Sequence, residues 1–229
     1  MKRITPVLLA LSLPSLGLAQ ELDPQNAWDH FLATNGSDWR VQWNTATGTP
    51  KAIYGPGLQL SNEVDSLGAA RVEATTVLNR FSALLGRGQS TFVETIGTKA
   101  QKVYVFVYDQ TFKGLPVING RADIRIHEIG AVSMFGSSAV PIPNGFSLTP
   151  TISAEEAKAA AEMHVLGTKG VEKAEAPRLV IWADTESKAA AKPTLAFEVQ
   201  IDQRPTAAVV GKAYVNASNG SIVKFQNEV

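Results

Sequence analysis

Cysteine is absent from all 229 residues. That excludes disulfides, thiolate metal sites, iron–sulfur clusters and a cysteine nucleophile together. An excess of one charge is missing too: 21 Lys and Arg offset 21 Asp and Glu. With no basic run, the electrostatic footprint that phosphate backbones need is lacking, and nucleic acid is not an expected partner. No apolar stretch reaches the roughly 20 residues that cross a bilayer, so no membrane span is expected. Strand-turn-helix phosphate or dinucleotide loops and a G-x-S-x-G elbow are also missing. Only Ser, Thr, Asp, Glu, Lys, Tyr and three His remain for chemistry.

What is present suits a folded chain. Hydrophobic residues make up 45% and charged residues 18%, a globular rather than a disordered composition. The length allows one large domain or two small ones. At the start, Lys2 and Arg3 precede an apolar run from Val7 to Leu18, and Gly17-Leu18-Ala19 places small residues where a signal peptidase reads. Residues 1–19 are therefore expected to be a secretory signal. Its removal leaves 210 residues with 19 basic and 21 acidic side chains, a mature protein either periplasmic or secreted.

The remainder divides by pattern. Residues 20–62 are expected as an N-terminal extension with one short strand, Trp39–Trp43, followed by turn-prone Thr47–Pro50 and Gly55-Pro56-Gly57. From Glu63 to Leu85 the apolar residues recur at three and four, the stripe of an amphipathic helix, with Ser61 and Asn62 as caps and Gly86 as stop. Val103–Asp109 is apolar on both faces, a buried strand. Ala122–His127 and Ala131–Phe135 alternate around a loop in which Gly130 takes positive φ. Pro141–Gly145 and Thr149-Pro150 mark a linker over 141–150. Ser153–Glu156 opens a helix with a capping box, running to about Leu166 with Ala157, Ala160, Ala161, His164 and Val165 inward. Arg178–Ala183, Leu195–Ile201, Val209–Ala217 and Ser221–Gln226 read as strands, the last two joined at Asn219-Gly220. In the second of these, Leu195, Phe197, Val199 and Ile201 face a core, and Ala196, Glu198, Gln200 and Asp202 face water. The fold class is α+β: two small domains, 63–140 and 151–229, each a helix on an antiparallel sheet.

Catalytic patterns start and fail. His127-Glu128-Ile129-Gly130-Ala131 begins H-E-x-x-H, but Ala131 has no ligand atom and the segment reads as a hairpin. His30 and His164 lie far from it in sequence, and His164 near a helix C-terminus fits a structural role. Gly136-Ser137 is read as a strand end. Glu155 and Glu156 suit a helix N-terminus, while Glu198 and Asp202 are read as solvated carboxylates rather than a glycosidase pair. Asn35-Gly36-Ser37 and Asn216-Ala217-Ser218 match the glycosylation acceptor pattern. No catalytic, cofactor-binding or metal-ligating residue is assigned, and an enzyme is not expected.

The run Tyr108-Asp109-Gln110-Thr111-Phe112-Lys113-Gly114-Leu115-Pro116-Val117 carries a Gln-x-x-x-Gly-x-Pro-Val string at the end of a strand. With the preceding helix and its Leu84-Leu85-Gly86, it resembles the fungalysin/thermolysin propeptide (FTP) domain. The second half, with its Ser-x-x-Glu helix and its Ala213-Tyr214-Val215-Asn216-Ala217-Ser218-Asn219-Gly220 ending, looks like a PepSY domain, with Asn216 where that family often carries Asp. Trp39–Leu60 also looks like the segment that precedes the FTP domain in large secreted peptidases.

The resemblance implies a pro-region of the kind that helps a secreted zinc metallopeptidase to fold and inhibits it until removed. No catalytic domain follows Val229, so the chain acts in trans as an inhibitor or folding helper, or is the front of a longer peptidase. A structural or envelope-associated binding module is the alternative. A candidate partner-contact loop runs over Gly114–Asn119, with Gln110, Gly114, Leu115, Pro116 and Val117 as its marked residues. An exposed Pro-fixed loop or a sheet edge offers backbone groups to an extended partner segment; equally, Gln110, Gly114 and Pro116 can simply shape a turn.

Overall fold

The structure is a computed structural model describing residues 23–60, 64–167, 176–202 and 209–228. The expected signal over residues 1–19 and the caps Ser61 and Asn62 lie outside the described residues.

The described residues open with helix α1 (Pro24–Asn35), where the sequence predicted only an extension. Asp23 caps it, its Oδ1 accepting from the amides of Gln25 and Asn26 at 3.0 Å each, and Pro24 takes the first turn, where its missing N–H costs nothing. Two strands follow, β1 (Arg40–Trp43) and β2 (Pro50–Gln59), rather than one. The Gly55-Pro56-Gly57 string that reads as a turn lies inside β2, in a gap of the ladder between Tyr54 and Leu58, where a Pro removes no needed hydrogen bond.

Helix α2 (Leu67–Arg80) is shorter than its apolar stripe. Ser66 caps its N-terminus and starts it late by accepting from the Ala69 amide at 3.2 Å, and Leu84 and Leu85 stay buried in the turn that follows its C-terminus. Strands β3 (Thr91–Ala100), β4 (Val103–Phe112), β5 (Leu115–His127) and β6 (Ala131–Ser137) form an antiparallel series. Gly130 closes the β5–β6 hairpin at φ +80°, as expected. The second half holds α3 (Ala154–Leu166), β7 (Arg178–Trp182), β8 (Thr194–Asp202), β9 (Val210–Asn216) and β10 (Ile222–Asn227).

Helix and sheet are thus mixed as the sequence indicated, but among the described residues strands dominate and join in one ten-stranded sheet. Its path runs β1-β2-β6-β5-β7-β8-β9-β10, with β4 and then β3 branching from β5. The expectation of two helix-on-antiparallel-sheet domains is corrected here: β5 pairs with β7 in parallel at Val117↔Ile181 and Ile118↔Trp182. The reason is tertiary: β5 is long enough to serve both halves.

The apolar residues gather in two main cores. In the first, α1 and α2 cover one face of β2, β4, β5 and β6, with Phe106, Ile124 and Phe135 fully buried. Phe31 meets Trp39, Phe81 and Phe135 with ring centroids 5.2, 5.4 and 5.8 Å apart, so the N-terminal segment is built into this core. Each such ring contributes on the order of 1.5–3 kcal/mol by burial. In the second core, α3 lays Ala157 and Ala161 against Phe197, Val199, Ala213 and Val215, and small residues let it sit close to the sheet. His164, expected on the inward stripe, is exposed. None of the described helices is long and apolar enough to cross a membrane.

A candidate binding groove on the open sheet face

Because both early helices cover the same side of the sheet, the opposite side stays open. Alternation places Tyr104, Phe106 and Tyr108 in the core and puts Val105, Val107 and Asp109 on the opposite face, where Val107 is itself buried. On β5 the same parity buries Ala122, Ile124 and Ile126 and turns out Arg121, Asp123 and Arg125. Cross-strand register sets these in rows. One runs Tyr54 (β2), Met134 (β6), Arg125 (β5), Val105 (β4), Thr98 (β3). Across this face runs a groove of about 1010 Å³, bordered among others by Lys51, Val93, Asp109, Arg121, Arg125 and Met134.

The sequence-marked residues meet this groove at one corner. Gln110, Pro116 and Val117 border it; Gly114 and Leu115 do not. The expected loop over 114–119 is corrected: Leu115 begins β5, and only Lys113 (φ +49°) and Gly114 (φ +85°) make the turn. Positive φ at both positions is the geometry of a two-residue hairpin turn, and Gly is suited to it. Pro116 faces Thr111 across β4 and lies outside the paired stretch of β7, so its missing N–H is tolerated.

Gln110 has a role that its motif does not disclose. Between the pairs Thr111↔Pro116 and Asp109↔Arg121, β4 spends one residue and β5 spends four. Gln110 fills the resulting break. It is fully buried, its Nε2 donating to Ser90 Oγ (2.8 Å) and to the Val140 carbonyl (2.9 Å), while its Oε1 accepts from the Val140 amide (2.7 Å). The side chain thus replaces ladder bonds and ties residues 139–140 to β4. Gly120 lies so close that a Cβ there would run into the Gln110 amide. These bonds give Gln110 a shaping role at the edge of the groove. Asn119 (φ +68°) holds the other flank, its Nδ2 donating to the Ala183 carbonyl at 2.9 Å.

Charges along the groove are mostly answered from within. Arg121 donates from Nε and Nη2 to Asp123 at 2.9 and 2.6 Å. The Asp123 hydrogen bond raises the Arg121 pKa against the opposing effect of burial, and the charges of Asp123 and Asp109 add to the rise. Arg178 holds Glu198 through Nε and Nη2 at 2.7 and 3.1 Å. Glu198 is only 8% exposed, so the reading of it as a solvated carboxylate is corrected. Ile118, Trp182 and Val223 pack over Val180, Ala196 and Tyr214, which removes that face from water. Burial first, then the Glu198 charge and hydrogen bond, push the Tyr214 hydroxyl well above its ordinary pKa. By contrast, the side chains of Lys51 and Arg125 have no hydrogen-bond or ion-pair partner among the described residues.

The histidines stay apart. His30 lies exposed on α1 and His164 exposed on α3. His127 ends β5, and its Nδ1 accepts from the Ile129 amide at 3.3 Å within the hairpin turn. Among the described residues no group of three or more His, Asp or Glu is arranged to hold a metal ion. Sequence reasoning did not mark Lys51, Arg125 and Met134. The alternation of Ala122–His127 could have given Arg125, whereas Lys51 sits on a strand hidden behind Gly and Pro.

No family model matches the chain, and no curated protein matches it. Among solved structures it is similar to the Bacillus megaterium YpeB C-terminal domain, at 15% identity and a TM-score of 0.39, over 89% of this chain and 95% of that one. Function therefore rests on the chemistry of the site.

Proposed function

We propose that this chain is an exported, non-catalytic binding protein that takes a segment of a secreted zinc metallopeptidase into the open-face groove and restrains the enzyme or assists its folding. The observation that carries the reading is the groove itself: about 1010 Å³ on an uncovered sheet face. Exposed Val93, at 51%, and Tyr54, at 50%, stand on the same face, and apolar groups beside Arg side chains are what protein interfaces favour. The Gln-x-x-x-Gly-x-Pro-Val string, resembling a propeptide domain, builds the corner where Gln110, Pro116 and Val117 border that groove. Export is supported by the charged, apolar and small-residue pattern of Met1–Gln20.

The test is a titration of residues 20–229 into a thermolysin-type peptidase acting on a small peptide substrate. Saturating inhibition with the added protein intact is the expected result. Unchanged activity across the titration, with the added chain merely digested, defeats the reading.

A further inference from the structure

Resting on the proposed reading, we infer that Arg125 is the anchor of the groove and that its ligand is a carboxylate on an extended, apolar partner segment. Arg125 is exposed near the C-terminal end of β5, between Met134 on one side and Val105 on the other. Neither neighbour carries charge. Its nearest acid along the strand, Asp123, already accepts two hydrogen bonds from Arg121. Glu198, the carboxylate of the adjoining sheet region, is held by Arg178 in the same way. Arg125 is thus a guanidinium set among apolar side chains with both of its forked donors unspent, while Lys51 adds a second unanswered cation along the groove.

A planar fork of this kind binds a carboxylate through two parallel bonds. The row to either side, Tyr54 and Met134 toward β2 and Val105 toward β3, offers apolar contact to the residues flanking that carboxylate. The complement is a chain in which acidic and apolar residues alternate, so that the acids face the groove's cations. Asp109 and Glu186, also on the groove wall, repel a partner carboxylate placed beside them, which fixes the register in which the acids meet Arg125 and Lys51.

Two labelled decapeptides serve as probes, one alternating Val and Glu and one alternating Val and Lys, titrated by fluorescence anisotropy into residues 20–229. The Val/Glu peptide is expected to bind saturably and to weaken as salt rises; the Val/Lys peptide is expected not to bind. Arg125→Glu should weaken the Val/Glu peptide about tenfold or more, the scale of one lost charged anchor, and Arg125→Lys should restore part of it. Circular dichroism of each variant establishes that the fold is retained. Equal binding of both peptides, binding unaffected by Arg125→Glu, or no binding at millimolar peptide overturns the assignment. Failure of the two readings is separable. Peptide binding without peptidase inhibition defeats the functional reading alone, and inhibition undiminished in Arg125→Glu defeats the anchor alone.

Discussion

Gln110 shows how a single side chain can stand in for backbone. Three hydrogen bonds from one buried amide satisfy Val140 and Ser90 where the β4–β5 ladder breaks. Replacing it with Leu leaves the Val140 N–H and C=O buried and unpaired, and such groups each cost roughly 1–3 kcal/mol. We expect Gln110→Leu to lower stability by about 2–4 kcal/mol in urea unfolding; an unchanged midpoint would remove the strut. The position was legible in the sequence as special, because a Gln at the end of an apolar strand has no local reason to be there. Its role was not, since Ser90 and Val140 lie 20 and 30 residues away.

Among the elements, α3 was the most readable. Ser153 Oγ accepts from the Glu156 amide at 3.2 Å, and Glu156 Oε2 accepts from the Ser153 amide at 2.8 Å, the reciprocal pair that the spacing predicted. Loss of the cap in Ser153→Ala should cost about 1 kcal/mol. The backbone N–H of Ser153, then its hydroxyl, hold the Glu156 carboxyl below the usual carboxylate range. A depressed carboxylate contributes stability above its unfolded pKa and loses it as pH falls through the folded one. The stability gap between the native chain and Glu156→Gln should therefore narrow on acidification from about pH 6 to 2, as read by urea melts at each pH; a gap constant with pH would contradict it. Strand β2 was the least readable element, because Gly55-Pro56-Gly57 carries turn chemistry and only pairing with β1 and β6 makes it a strand.

At the scale of the whole molecule, the second core is completed by residues from the first half. Phe112, Val117 and Val140 are at most 3% exposed, packed with Ala157, Phe197 and Val215. Each contributes on the order of 1.5–3 kcal/mol by burial, a large share of a small domain's stability. A fragment of residues 141–229 should therefore lack a cooperative thermal transition and a dispersed amide spectrum; a well-folded fragment would show the shared core to be dispensable. The sequence by itself determined the elements whose signals are local: the capping box of α3, the strands β4 and β8, and the turns at Gly130 and Gly220. Tertiary structure alone decided that β5 serves both halves, that Glu198 is buried against Arg178, and that α1 and α2 cover one face and leave the other open. Those outcomes depend on which surfaces are spent against one another, and a chain's period fixes only which residues share a face, not what will cover it.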